Sequence, residues 1–281
     1  MRPVVVGTLF GVMCLGSVGA QIRALPQVPA TAAASAAHPS VPSIETAERL
    51  FYIGEYEQAA ATALQLRAGA PDDLATYEVR TSAIHFLIKN QIGDVKDKAA
   101  ALKACTACPA LLATMKEDVT RGQQIARARL KTQPRDVTAL FFLGKIDLNH
   151  VWLYLGTLGQ RTGWAEYWEA RHSLDDALEI DPTHVRARVA RAWIDYIVDT
   201  RVPRGLRWVL GGGDKKGALK TIRGAAVANT DFYSRTEAAF GLWEMLGRES
   251  QDAEAVTVAE RLAVDFPENR ELIRFLKAHG K

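Results

Sequence analysis

From Ser43 to the C-terminus, apolar residues recur three and four positions apart, the spacing of one face of an α-helix. Strict apolar–polar alternation is missing from this stretch, and Ala, Leu, Glu, Arg and Lys fill the positions between. The pattern predicts an all-α chain. Prolines punctuate it. Pro71-Asp72-Asp73, Pro134-Arg135-Asp136, Pro182-Thr183 and Pro267-Glu268-Asn269 each close one helix and open the next. Proline has no amide hydrogen and its ring clashes with the preceding turn. The Asp, Thr or Asn that follows can accept the free amides of a new helix.

Small residues keep a fixed distance from these prolines. Ala59, Ala170 and Ala255 lie twelve positions before Pro71, Pro182 and Pro267; Ala177 lies five before Pro182, and Gly122 stands twelve before Pro134. A small side chain at such a place lets two antiparallel helices approach closely. Together with Gly54-Glu55-Tyr56-Glu57-Gln58-Ala59, this spacing resembles the tetratricopeptide repeat (TPR) superfamily of 34-residue helix-turn-helix units. The likeness covers Ser43–Asp72 and the second helices of Trp164–Asp181 and Ser250–Phe266, and it lapses over Tyr77–Gln133. It implies a right-handed αα-hairpin solenoid of about five helix pairs over residues 43–281. Such a fold offers a curved surface to a protein or peptide partner.

Two units are longer than the repeat. Pro134 to Pro182 spans 48 residues, which predicts a helix running from Asp136 to about Gly159. Its largely apolar run Ala139–Leu158 carries Lys145, Asp147, Asn149 and His150 at the middle, each charge there costing about 2.5–3.5 kcal/mol in a bilayer, so no membrane span is expected. The second expansion, Arg201–Gly213, separates a helix over Thr183–Asp199 from one starting near Asp214. The order of elements from Leu140 to Pro267, with Ala177–Pro182, Pro203 and Gly211–Gly217, is similar to the T-component family of TRAP transporters. That resemblance implies a periplasmic accessory protein with an apolar small-molecule cavity, which stands as the alternative function.

The N-terminus reads differently. Arg2 followed by the apolar run Val4–Val18 and by Val18-Gly19-Ala20 is the pattern of a secretory signal over residues 1–20. The run is shorter than a spanning helix needs. Cys14 follows Gly11-Val12-Met13, a poor context for lipid attachment, so soluble export to the periplasm or beyond is favoured over anchoring. Residues 21–42 are rich in Ala, Pro and Ser and read as a disordered leader.

Composition narrows the function. The 281 residues carry 35 Lys+Arg and 32 Asp+Glu, a formal net charge of +3, which gives no reason to expect a nucleic-acid binder. Charge is concentrated in Arg201–Arg223, where seven cations face Asp214 alone. Arg204, Arg207, Lys215 and Lys216 there are candidates for an acidic partner, against the plainer reading of a glycine turn with Asp214 as a helix cap. A nucleotide loop is disfavoured, since no Gly-Lys-Ser/Thr occurs and no strand precedes the glycines. His184, Arg188, Arg191, Asp195 and Asp199 form a polar stripe opposite the core stripe of Val185, Val189, Ala192, Trp193 and Tyr196. The first four are candidate partner contacts; the alternative is a solvated face laced by Arg191–Asp195.

Trp152, Tyr154, Trp164, Tyr167 and Trp168, with Asn149 and His150 nearby, could floor an apolar pocket or form core between two long helices. Asn149, Trp152, Trp164 and Trp168 are the pocket candidates. Cys105 and Cys108 are the cysteines left after signal removal, and an exported chain favours a structural disulfide between them over redox chemistry. Glu169-Ala170-Arg171-His172 is a lone Glu-x-x-His, whereas a di-iron bundle needs two. No catalytic signature, cofactor motif or metal-ligand spacing appears, so the expectation is a non-catalytic binding or scaffold protein, with oligomerisation left open.

Overall fold

In the computed structural model, which describes residues 42–281, each inward helix starts on a side-chain cap. Signal residues 1–20 and leader residues 21–41 lie outside the described residues. Helix α1 (Ile44–Ile53) is capped by Ser43, α3 (Leu74–Ile92) by Asp73, α6 (Val137–Val151) by Asp136 and α10 (Phe232–Arg248) by Asp231. The cap of α8 (Val185–Arg201) is His184, not Thr183: His184 Nδ1 accepts from the Ala187 amide at 3.1 Å, while Thr183 donates to Asp181. Asn269 caps α12 (Arg270–Ala278). The remaining helices are α2 (Tyr56–Leu66), short α4 (Lys98–Ala104), α5 (Cys108–Thr132), α7 (Trp164–Ile180), α9 (Lys215–Ala226) and α11 (Asp252–Asp265). The described residues contain no strand.

Consecutive helices pack on one another along the chain, as α1 on α2, α3 on α5, α6 on α7, α8 on α9 and α10 on α11, with each pair against the next. The small residues sit where the helices meet. Ala59, Ala170, Ala177 and Ala255 have no exposed surface. In the pair lacking alanine, a Cβ on Gly122 would lie 2.7 Å from Ile146 Cδ1 and 3.3 Å from Tyr77 Cβ, so α5 approaches both neighbours through a glycine.

The long unit between Pro134 and Pro182 holds α6, which widens at its end into a π-helical turn, Trp152–Thr157. The Leu158 amide there reaches back to the Leu153 carbonyl. None of the described helices is long and apolar enough to cross a membrane.

The first helix also meets α10 and the turn between α11 and α12. Asn269 Nδ2 donates to the Tyr52 carbonyl at 2.6 Å, Arg49 donates to the Asp265 carbonyl at 3.2 Å, and the Tyr52 ring stacks on Phe240 at 5.0 Å. On its other side Phe51 meets Phe86 of α3 edge-on at 5.3 Å. Helix α1 therefore bridges residues more than two hundred positions apart, and the inner side of the array is filled by aromatic and charged side chains.

Candidate functional site

One charged residue from each of five inward helices converges on that inner side: Glu48 of α1, Glu78 of α3, Lys145 of α6, Arg186 of α8 and Glu237 of α10. The Arg186 guanidinium binds three carboxylates, Glu237 at 2.6 Å, Glu48 at 3.1 Å and Glu78 at 3.2 Å, and its plane lies 5.3 Å from the Phe141 ring. Lys145 Nζ takes the other Glu237 oxygen at 2.6 Å and stands 3.6 Å from Glu78. Burial pushes Glu48 up to about 7, only partly opposed by Arg186, and Glu78 and Glu237 add to the rise. Burial would also raise Glu237, but Lys145 and Arg186 overcome it and hold this carboxyl down at about 2. The arrangement is a lock: each guanidinium nitrogen donates to one of this chain's own carboxylates, so the cluster ties α1, α3, α6, α8 and α10 together. Sequence inspection marks only Lys145, as a charge within an apolar run; Glu48, Glu78, Arg186 and Glu237 each resemble an ordinary polar residue on a helix.

A second buried polar set lies between α5, α6 and α7. Asp147 has no exposed surface and accepts from Gln123 Nε2 at 2.6 Å. Burial, with Glu169 beside it, pushes Asp147 up to about 9, so it is protonated at neutral pH. Glu169 is ionised, paired with Arg127, whose Nε lies 2.8 Å from Oε1. His172 of the Glu-x-x-His pair stacks on Trp168, with ring centroids 5.7 Å apart. Among the described residues no group of three or more His, Cys, Asp or Glu is placed to hold a metal ion.

The polar stripe of α8 is drawn inward. Besides capping its own helix, His184 packs 4.7 Å from Phe141, and burial lowers its pKa. Arg191 pairs with Asp175 and Asp195, each at 2.6 Å; Asp195 also faces Arg171 at 3.7 Å. Arg188 is half-buried. Helix α8 is flanked by α7, α9 and α10, and buries residues on most of its circumference, including Ala187, Ala190 and Ile194 outside the expected core stripe.

The aromatic group divides. Tyr167 is buried, and Trp152 and Trp168 pack against the core formed with Phe141, Leu174 and Ile194. Asn149 points the other way, donating to Thr81 Oγ1 at 2.9 Å, Ser82 Oγ at 3.0 Å and the Glu78 carbonyl at 3.2 Å. Trp164 remains 47% exposed. Cys105 and Cys108 are joined in a disulfide that links the end of α4 to the start of α5.

The Arg201–Gly213 expansion projects from the body and is braced from behind. Arg207 pairs with the Asp199 carboxylate and donates to the Val202 carbonyl at 3.0 Å; the Tyr167 hydroxyl donates to the Leu210 carbonyl at 2.8 Å, and Arg171 to the Gly211 carbonyl at 2.7 Å. The three glycines have separate reasons. Gly211 and Gly212 adopt φ of 77° and 78°, a region costly for other residues, and a Cβ on Gly213 would fall 2.5 Å from the Asp199 amide nitrogen. Asp214 then caps α9 through the Gly217 amide at 2.9 Å. Lys215 is committed to Glu249 at 2.6 Å, whereas Arg204 and Lys216 are exposed. At the tip, Trp208 is 78% exposed, Leu206 56% and Val209 47%. Hydrophobicity read along the chain points such residues inward, so they were not among the expected contacts. No family model matches the chain, and no curated protein or solved structure is detectably similar to it.

Proposed function

We propose that the chain is an exported, non-catalytic binding protein of the TPR type, a right-handed stack of five helix pairs that carries its contact surface on a projecting loop and not in its curve. The exposure of Trp208 is the observation that supports this reading most. A large aromatic left in water on a rigidly held turn is costly unless something covers it, and buried aromatics dominate the energetics of interfaces. Exposed Leu206 and Val209 stand beside it, with exposed Arg204 at the start of the same turn, so the counterpart is apolar where the tip enters. The ion pairs of Arg186, Arg191 and Lys145 are turned to holding the array together, which leaves the inner surface a structural role.

The test is retention of material from the cell envelope by the immobilised mature chain. Wild-type protein should retain its counterpart, and Trp208→Ser should reduce the retained amount about tenfold or more while leaving the melting temperature unchanged. Equal retention by the two proteins would remove the loop from the contact surface.

A further inference from the structure

We infer that the Cys105–Cys108 disulfide is a site of thiol–disulfide exchange, open at Cys105 to the dithiol of another protein, from which it accepts two electrons. The inference goes beyond the reading of the projecting loop and uses none of its residues.

As a cross-link the bond has little to hold. Cys105 and Cys108 are three positions apart, at the end of α4 and the start of α5, so the bond closes a loop within a single connection. So short a loop removes little freedom from the unfolded chain. Nor does the bond fasten a buried element, since none of the residues of α4 is buried. That helix is secured at its other end, where Asp97 caps it and Lys98 Nζ donates to the Gly156 carbonyl at 2.7 Å.

The two sulfurs differ in access. Cys108 has no exposed surface and belongs to the buried cluster that includes Met115 and Leu153. Cys105 is half-buried, and Thr106 and Ala107 beside it are exposed. An incoming thiolate therefore reaches Cys105 Sγ, and Cys108 is the sulfur that leaves.

The start of α5 is suited to the negative charge that exchange produces. Its N-cap, Ala107, has no side chain that can accept a hydrogen bond, and Pro109 brings no amide. The Cys108 amide donates to Cys105 Sγ at 3.1 Å, so sulfur does for α5 part of what an aspartate oxygen does for α3, α6 and α10. A thiolate accepts such a bond better than a disulfide sulfur, and the positive end of a 25-residue helix favours the charge. Residues 98–116 add three lysines and no carboxylate.

The exchange proceeds in two displacements. A thiolate of the partner attacks Cys105 Sγ; the bond to Cys108 breaks, and its electron pair leaves on Cys108 Sγ, which takes a proton from water. The partner's second thiol, having lost its proton, attacks the partner's own sulfur in the mixed disulfide and expels Cys105 as the thiolate. The chain ends as a dithiol and the partner as a disulfide. A monothiol does not complete the sequence, because Cys108, three positions away, attacks Cys105 again and expels it.

The experiment uses the oxidised mature chain, residues 21–281, whose cysteines are Cys105 and Cys108. Dithiothreitol is the probe dithiol, and free thiols are counted at pH 7 by alkylation and mass spectrometry. The folded chain should be reduced at a rate within about tenfold of that in urea and keep its helical circular dichroism, while the same thiol concentration of glutathione leaves the bond largely intact. Cys108→Ser should leave Cys105 reacting with an aromatic disulfide half-maximally below the ordinary thiol value of about 8.5. Cys105→Ser, which leaves the buried Cys108, should react at least about tenfold more slowly. Slower reduction of the folded chain than that limit would overturn the inference, as would loss of the helical signal on reduction, equal reduction by glutathione, or equal reactivity of the two variants. The wild-type rates decide it even where a variant fails to fold.

Discussion

Replacing Arg186 by alanine removes the one guanidinium that joins Glu48, Glu78 and Glu237, and leaves Lys145 to face Glu78 and Glu237 while Glu48 loses its partner. The side chain of Arg186 is 16% exposed and those of the three acids 10%, 4% and 13%, so water can do little to compensate. Removing one partner of a buried ionic network costs about 3–5 kcal/mol, because the remaining charges stay buried without their counter-ion. For a chain of this size each kcal/mol moves the melting temperature by about 2–4 °C, so Arg186→Ala should melt on the order of 6–20 °C below wild type at pH 8. Acidification supplies an internal check. Arg186 lowers the pKa of Glu48 and of Glu237, so without the guanidinium these two carboxyl groups titrate at higher pH in the folded state than in the wild type. Groups with raised folded pKa stabilise below the unfolded value and lose that contribution as pH rises through the folded one. The deficit should therefore shrink between pH 8 and pH 5.5. Thermal melts followed by circular dichroism at 222 nm measure both quantities. A loss below about 1 kcal/mol, or a deficit that grows on acidification, would refute the lock.

Two further predictions concern the same frame. Glu48 titrates at about 7 when folded against an ordinary value of 4.5, so the wild type loses stability as pH rises through this window. Glu48→Gln carries no such charge, and its stability relative to wild type should improve from pH 5.5 to pH 8.5 in parallel denaturant titrations; a constant difference would show that Glu48 is not the titrating group. Gly144 of α6 lies close against α7, where a Cβ would sit 2.7 Å from Leu174 Cγ and 3.2 Å from the Ala170 carbonyl. Gly144→Val should destabilise by about 1–3 kcal/mol despite its better helix propensity, read from the urea midpoint, and an unchanged midpoint would mean that the helices can separate freely there.

The local rules of the chain are legible in its sequence. Helix after helix follows from three- and four-residue spacing and from prolines that remove a donor. The alanines twelve positions before Pro71, Pro182 and Pro267 have no exposed surface, because a small side chain is what fits where two helices touch. Asp136, Asp214 and Asn269 cap helices as their chemistry suggests. Periodicity says which side of a helix faces inward, but not what lies across the gap. The meeting of Glu48, Glu78, Lys145, Arg186 and Glu237 depends on how each helix is set against the next along the chain, as does the contact of Tyr52 with Phe240 and Asn269. For the same reason Arg191 and His184, which look like free contacts on an isolated helix, are taken by Asp175, Asp195 and the start of α8 itself. The exposure of Trp208 belongs with them. An apolar residue enters the core only if its backbone can reach it, and the braces from Asp199, Arg171 and Tyr167 hold this turn outside. Short-range sterics and hydrogen bonding write the elements; long-range geometry alone decides which side chains find partners and which are left facing out.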